Sequence, residues 1–521
     1  MNRRFHIATV TATLTLVVAA CGSRVVPLTA GQVPGQPGVV PTLSPGQSIN
    51  PTTGATIGPG GQPVGPGGGG GSTSGPLANC RAPAKATDKG VSQTTIKVGL
   101  VAAIGGSFRG QFNANIEAVD AYLKMINAEE GGVCGRKFAL TIRDDGGDPG
   151  RDYTAAKELA DDIGIFAFVG SVSAPDSDTG VARVSRDEKI PDIGFPLTYE
   201  RSESAYTYGV PGQLQKRLNG EGSSGARWLN DTFGIKQVAV FWVGESQVSR
   251  AAAWSFEAAV LKAKGGPPNI EICFTRETSV TDLNFDGYAS AMRSSCPASG
   301  GPLAVYTTME NNSNIRLATA MKTQSVNPTV FAPTFTSYLQ SFVKDDQGNP
   351  RSATEGAYIA VPHIPFERCT QSRGKPVPPC SHPELNRYVT ALGRYHPGYT
   401  APGSWGGPGW GQADLFVRAV KGCGANLTRT CLLQQIKAIS SYSDGGFLSP
   451  TTPRERKIYK ADLLLRVHNG AFVELRPNDK GGPAGAPDFW DKSELFDWWD
   501  YFCGHKDEFP NASQIQTFVR C

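Results

Sequence analysis

The sequence predicts an α/β protein built on doubly wound parallel sheets. Three observations carry that prediction. Residues 95–149 read as strand, helix, strand, at the spacing of a βαβ unit, whose crossover is right-handed. The alternation continues to Pro196 with further helices and strands. A second series of the same kind opens at Gln237. Such alternation means a parallel sheet with helices on both faces.

The start of the chain stands outside that fold. Arg3 and Arg4 form a positive n-region, residues 7–18 an apolar h-region, and Val18-Ala19-Ala20-Cys21 closes it. Residues 1–20 are therefore expected to be a secretory signal peptide, too short and wrongly flanked for a spanning helix. The closing four residues resemble a lipobox, which implies a bacterial lipoprotein with Cys21 as the lipidated mature N-terminus. Two acyl chains anchor firmly, because each buried methylene adds about 0.8 kcal/mol. Residues 21–79 follow as a linker rich in Gly, Pro, Gln, Ser and Thr, with a glycine run at 67–71. It cannot bury a core and is expected to be disordered. As a random coil its ends lie roughly 40–45 Å apart. No later stretch reaches the ~18 apolar residues of a membrane span.

The folded body begins at Cys80. The strand at 95–102 is nearly all apolar and stops at Gly105-Gly106-Ser107. A helix from about Gln111 places Phe112, Ile116, Val119, Ala121, Leu123 and Ile126 on one broad face, and Gly131-Gly132 ends it. A strand at 138–142 closes on Asp144-Asp145-Gly146-Gly147. Then come a helix at 152–162, a strand at 165–169, a helix at 176–189 with Asp178 as a candidate cap, and a strand at 190–195. After a helix at 214–233, strands at 237–243, 270–274, 303–307 and 329–331 alternate with helices at 251–264, 285–293 and 315–323. A strand at 356–361 leads back. Residues 369–380 are Pro-rich and read as a stapled loop. Helices follow at 383–395, 412–422 and 431–439, then a hairpin of 463–467 and 472–475 around Asn469-Gly470. The tail holds Trp490, Phe496, Trp498, Trp499, Tyr501 and Phe502, and is expected to pack on the body.

Of eleven cysteines, Cys21 is set aside, and the even remainder in an exported chain suggests disulfides. Proximity in sequence suggests Cys273 with Cys296, Cys369 with Cys380, Cys423 with Cys431 and Cys503 with Cys521. Cys80 would then pair with Cys134. Sequence alone leaves other connectivities open.

Composition and motifs exclude several functions. The net charge of +4 falls to +2 without Arg3 and Arg4, and no basic run makes a patch, so no nucleic-acid partner is expected. The cysteines lack C-x-x-C spacing and the six histidines are scattered, so no metal site is expected. Asp144, Asp145 and Asp148 fall short of a calcium loop. Neither G-x-S-x-G nor H-E-x-x-H occurs, and no catalytic set is expected. Residues 105–110 follow a strand and precede a helix, as a dinucleotide fingerprint does. Ser107 nevertheless stands where the second glycine is needed, and the acidic pair at 144–145 comes later than the ~20 residues that motif requires. No cofactor is expected.

In open parallel sheets, ligands bind beyond the carboxyl ends of the strands. That rule selects the loops at 105–110, 170–176, 195–199, 244–248, 307–311 and 333–336. Their candidate ligand residues are Ser107, Phe108, Ser171, Ser173, Phe195, Thr198, Tyr199, Gln247, Glu310 and Phe335. Hydroxyls and helix N-terminal amides hold a carboxylate well, and Phe108, Phe195 and Phe335 would wall an apolar part.

The succession of lipobox, linker, IKVGLVAAIGG, INAEEGGVCGRKFALTIRDDGGDP, AAKELADD and FAFVGSVSAPDS resembles the type I periplasmic solute-binding proteins. The nearest branch is the leucine/isoleucine/valine-binding proteins of ABC importers. The resemblance runs from about Thr95 to Leu475. It implies two Rossmann-like lobes joined by a three-crossover hinge near Pro211, Pro362 and Pro450. Lobe one would take 80–210 and about 362–449, lobe two 211–361 and about 450–486, with 487–521 as a C-terminal extension. It also implies that family ligand hydroxyls fall near Ser173 and on Thr198, with Ser107 and Phe108 in the first loop. Where the branch places a glutamate for the α-ammonium, this chain has Phe335, and Glu310 in the preceding loop is the candidate substitute. The expectation is a lipid-anchored monomer on the extracytoplasmic face of the membrane that performs no reaction. It would capture an amino acid, branched-chain or other, or an apolar or aromatic carboxylate, for an ABC permease by cleft closure. The alternatives are a ligand-sensing receptor domain signalling to a membrane partner and an exported enzyme.

Overall fold

The computed structural model describes residues 48–49, 56–57, 78–80, 84–173, 178–210, 212, 218–219, 221–262, 269–372, 374–399, 403–459, 461–475, 490–491, 496–519 and 521. The stretch expected to be a signal peptide, Cys21 and most of the expected linker lie outside them, as does Pro211. Within the unit 1–73, Ser48–Ile49 and Thr56–Ile57 pair antiparallel. All further description concerns the unit 74–521.

Two parallel sheets repeat one topology. In the first, Thr95–Ala102 lies between Lys137–Asp144 and Ala167–Val169, and Asp192–Ile193 adds to the far edge. In the second, Gln237–Val243 lies between Glu271–Thr278 and Leu303–Thr307, with Val330–Pro333 at the edge. Numbered along the chain, both have the order 2-1-3-4, so each switches direction beside its first strand. The central strands are buried on both faces, which is why they read as continuous apolar runs. A third, antiparallel sheet joins Tyr358–Val361 to the hairpin Ala461–His468 and Ala471–Leu475. Its turn is Asn469-Gly470, both at positive φ, as a two-residue hairpin requires.

The fold is thus two doubly wound lobes, and the chain crosses between them three times. The crossings run side by side. Ser449 N donates to Pro362 O at 2.8 Å, and His363 bridges Leu448. A Cβ on Gly212 would sit 2.4 Å from Ile458 Cα, so the first and third crossings touch backbone to backbone.

The Pro383–Tyr395 and Gly406–Cys423 helices pack on the first lobe. Tyr122 of the Asn113–Glu129 helix donates to Asp414 at 2.6 Å and faces Trp410 at 4.6 Å, while Phe138 faces Phe416 at 5.6 Å. The expected helix start at Gln412 is corrected: the helix begins at Gly406, through Gly407, Pro408, Gly409 and Gly411. These residues read as turn formers, but here they permit contact. A Cβ on Gly409 would lie 2.6 Å from Asn115 O, and one on Gly411 would lie 2.3 Å from Leu448 Cδ1. Tertiary packing overrides propensity.

Other expectations are corrected more locally. Residues 369–380 form a hairpin of Cys369–Ser372 and Lys375–Cys380 rather than a loop, because the paired cysteines bring the two arms into register. Asp178 occupies the N-cap position of Thr179–Asp187 but makes no side-chain cap. Its carboxylate instead accepts Leu197 N at 2.8 Å. Asp148 does cap, accepting Arg151 N at 2.8 Å. The disulfides are Cys80–Cys134, Cys273–Cys296, Cys369–Cys380, Cys423–Cys431 and Cys503–Cys521. Among the described residues no helix is long and apolar enough to cross a membrane.

The C-terminal extension folds into Trp498–Gly504 and Ala512–Phe518, packed on the Gln247–Lys262 helix. Glu257 of that helix is fully buried beneath it, with Asn511 Nδ2 at 3.5 Å from Oε1. Burial pushes the Glu257 carboxyl up to about 8.

Two outcomes follow from these packings. Gly409→Ala loses stability, by about 1–2 kcal/mol, because overpacking outweighs the gain in helix propensity. Gly393→Ala, whose Cβ would meet nothing within 4 Å, gains about 0.5–1 kcal/mol, and urea unfolding measures both. The folded state holds the Glu257 proton that the unfolded chain releases above about pH 4.3, so this group costs stability progressively as pH rises toward 8. Glu257→Gln therefore gains on the native protein across pH 5–8 in melting-temperature profiles.

Candidate functional site

The carboxyl ends of the two sheets face one cleft. The first lobe supplies an aromatic wall. Phe108 and Phe112 flank the start of the Asn113–Glu129 helix, Phe195 and Leu197 follow the fourth strand, and Trp405 immediately precedes the Gly406–Cys423 helix. Trp405 sits 5.0 Å, centroid to centroid, from both Phe112 and Phe195. Phe335 of the second lobe reaches across, 5.1 Å from Trp405 and 6.0 Å from Phe195. Offset and edge-on aromatic contacts of this kind are favourable beyond their burial.

The second lobe supplies most of the polar atoms: Ser246, Ser249, Thr308, Glu310, Thr334 and Thr336. Several are already engaged. Ser249 Oγ accepts Val243 N at 2.9 Å, Thr308 Oγ1 donates to Ser249 O at 2.8 Å, and Thr336 Oγ1 donates to Met309 O at 2.8 Å. Glu310 caps the Asn311–Thr323 helix: Oε1 accepts Ser313 N at 2.8 Å and Ser313 Oγ at 2.7 Å. Its Oε2 is buried with no hydrogen-bond partner. Burial raises the Glu310 carboxyl above its ordinary value, against those Ser313 bonds. Glu310 is the one carboxylate among the described lining residues, and no lysine, arginine or histidine is among them. The hinge closes the floor with Ile458 and Tyr459.

Four sequence-predicted residues therefore meet here: Phe108, Phe195, Glu310 and Phe335. Five do not line the described cleft, for identifiable reasons. Ser171 is fully buried, with Oγ accepting Val101 N at 3.1 Å. Ser173 is fully buried, donating to Asp152 Oδ1 at 3.2 Å. Burial, with Asp178 close by, pushes the Asp152 carboxyl up to about 8. Thr198 is buried beside Asp178. Tyr199 packs its ring on Phe518, 5.4 Å away, and its backbone N donates to Gln247 Oε1 at 3.2 Å. Tyr199 and Gln247 thus join the lobes beside the cleft rather than line it. The side chain of Ser107 lies outside the described residues.

The loop that presents Phe195 and Leu197 is fixed from beneath by Arg201, which is fully buried. Its guanidinium grips Asp192 with two bonds of 2.8 Å, donates to Ser171 O at 2.9 Å and reaches Asp178 Oδ2 at 3.2 Å. A Cβ on Gly194 would lie 2.2 Å from Arg201 Nη2.

The glycine turn at 105–106 holds an anion of its own. Asp144 Oδ1 accepts Ile104 N at 3.0 Å, Gly105 N at 3.1 Å and Gly146 N at 2.8 Å. Those amide bonds outweigh partial burial and keep the Asp144 carboxyl below its ordinary value.

Sequence reasoning missed Trp405, Phe112 and Ser249, while Leu197, Ser246 and Thr308 lie in the loops it selected without being singled out there. Phe112 reads as one member of an apolar helix face, and Trp405 lies among glycines with no periodic signal. The strand-end rule finds loops but not the residue that a late helix returns to the cleft.

The sequence model for the periplasmic binding proteins matches residues 95–471. Among solved structures, a fatty acid ABC transporter substrate-binding protein from Thermomonospora curvata is similar over 77% of this chain and 95% of its own, at 18% identity and a TM-score of 0.62. A leucine-binding protein from Thermotoga maritima is similar over 73% and 98%, at 14% identity and a TM-score of 0.58. A branched-chain amino acid transporter substrate-binding protein from Streptococcus pneumoniae, solved with isoleucine, is similar over 73% and 100%, at 13% identity and a TM-score of 0.55. At these identities the likeness shows the fold. No curated protein sequence matches the chain.

Removing the Arg201 guanidinium strands Asp192 and Asp178 in the core. Arg201→Ala is expected to lose about 3–5 kcal/mol in urea unfolding. A loss under 1 kcal/mol would show that the loop is held by other means.

Proposed function

Because the chain belongs to the periplasmic binding protein family, we propose that it captures a small organic ligand between its lobes and delivers it to an ABC importer. The observation that carries this reading is the division of the cleft. The first lobe offers most of the aromatic rings, with Phe335 reaching across from the second, and the second lobe offers most of the hydroxyls and a buried carboxylate. A ligand touching both lobes favours the closed arrangement by its differential affinity for it. The family is one of substrate-binding proteins and not of enzymes, and no step of chemistry is assigned.

The aromatic wall suits a bulky apolar or aromatic group. The polar end of the ligand meets Glu310 and the N-terminus of the Gln247–Lys262 helix, whose macrodipole favours negative charge. A carboxyl and an amine on one apolar body satisfy both, which keeps amino acids ahead of simple fatty or aromatic acids. We assign lobe one to 80–210 and about 362–449, and lobe two to 211–361 and about 450–486. Anchoring through a lipidated Cys21 would place the monomer on the extracytoplasmic face of the membrane, with the linker as tether.

Thermal-shift screening tests this reading. The panel comprises branched-chain and aromatic amino acids, phenyl-bearing carboxylates and medium-chain fatty acids. At least one member is expected to raise the melting temperature, since ligand at about 100 Kd adds about 2.7 kcal/mol. Trp405→Ala abolishes that shift. A panel without a single stabilising member defeats the assignment.

A further inference from the structure

The chain beyond Leu475 lies outside the family match. Its two terminal helices are too short to stand alone, and they bury their aromatic faces on the second lobe. Trp498 and Phe502 are fully buried. Trp254 of the Gln247–Lys262 helix faces Trp498 at 6.1 Å and Phe518 at 5.5 Å. The Arg250 guanidinium lies 5.7 Å from the Phe518 ring, and Gln514 donates to Glu277 at 2.7 Å. Cys503–Cys521 closes the extension on itself just past Phe518. Every one of these anchors belongs to the second lobe or to the extension.

Phe518 also makes one contact that does not. Its ring lies 5.4 Å from the ring of Tyr199, which follows the fourth strand of the first lobe. Tyr199 stands two residues beyond Leu197, a cleft-lining residue, and its backbone is bonded to Gln247 of the second lobe. Tyr199 is therefore held between Phe518 and Gln247, at the seam beside the cleft. A parting of the lobes would separate Tyr199 from both.

We propose that the C-terminal extension is a latch: carried by the second lobe, it grips Tyr199 of the first through Phe518 and holds the cleft shut. This rests on the lobe-closure reading above and adds a control on it. A contact between the lobes that opening would break biases the opening equilibrium without touching ligand. It acts on the empty protein as well as the loaded one.

The test uses ligand-free full-length protein, so its result is independent of the ligand panel. Hydrogen exchange is followed at residues 334–337, the cleft loop carrying Phe335, away from the extension. Phe518→Ala is expected to speed exchange there roughly three- to tenfold, the range of one aromatic pair. Exchange at 498–504 stays unchanged, which excludes loss of the extension itself. Phe518→Tyr restores protection. Tyr199→Ala, which leaves all the extension's second-lobe anchors in place but also removes the 3.5 Å bond from the Tyr199 hydroxyl to Gln247 O, produces at least that increase, and adding Phe518→Ala to it adds nothing further. Unchanged exchange at 334–337 in Tyr199→Ala overturns the latch, whether or not Phe518→Ala disturbs the extension. Ligand-induced stabilisation would survive that result and leave the binding reading intact.

Discussion

The position of the cleft depends on one buried pairing, that of Arg201 with Asp192. The carboxylate sits on the last strand of the first sheet, and the guanidinium comes back from the helix that follows. Between them the chain turns through Phe195 and Leu197. A fork of two bonds fixes direction as well as distance, which a lysine could not do. The remaining donors of Arg201 hold Ser171 and Asp178, so two loops and one helix start are tied to the same cation. Desolvating these charges is expensive, and such a cluster is justified by geometry more than by net stability. Here the geometry is that of an aromatic wall.

The fold was largely legible because buried parallel strands advertise themselves. IKVGLVA and QVAVFWV admit few other readings, and the turns after them are marked by glycine and proline. The cysteine pairing was legible because close neighbours in sequence became neighbours in space. The cleft was legible in part. Phe108, Phe195, Glu310 and Phe335 follow strands directly, and strand ends are where a doubly wound sheet exposes its loops. Trp405 was not, since it arrives on a helix whose first turns are written in glycine. Those glycines encode a close approach to Asn115 and Leu448, a property of two segments together. Tyr199 shows the converse. Its loop was rightly placed, but the partner that claims its ring lies far along the chain, at Phe518.

The glycine turn after the first strand illustrates how one local geometry serves opposite ends. Amides converging at a strand end attract an anion, and in nucleotide-binding proteins that anion is a phosphate. Here the protein supplies it, as Asp144 from the neighbouring strand. The turn is thereby satisfied from within, and the loop is free to present Phe108 to the cleft. The cleft is divided accordingly: most rings come from the first lobe, with Phe335 crossing from the second, and most oxygens from the second.

The attachment at Cys80 has a mechanical consequence. Asn79 donates to the carbonyls of Lys421 and Gly422, and Cys80 is bonded to Cys134, just past the C-terminal end of the Asn113–Glu129 helix. The opposite end of that helix carries Phe112 at the cleft, and its 17 residues span about 25 Å. Any tension along the preceding chain enters the body through a covalent bolt and a bundle of helices within one lobe. A load applied there would bypass the crossings to the second lobe.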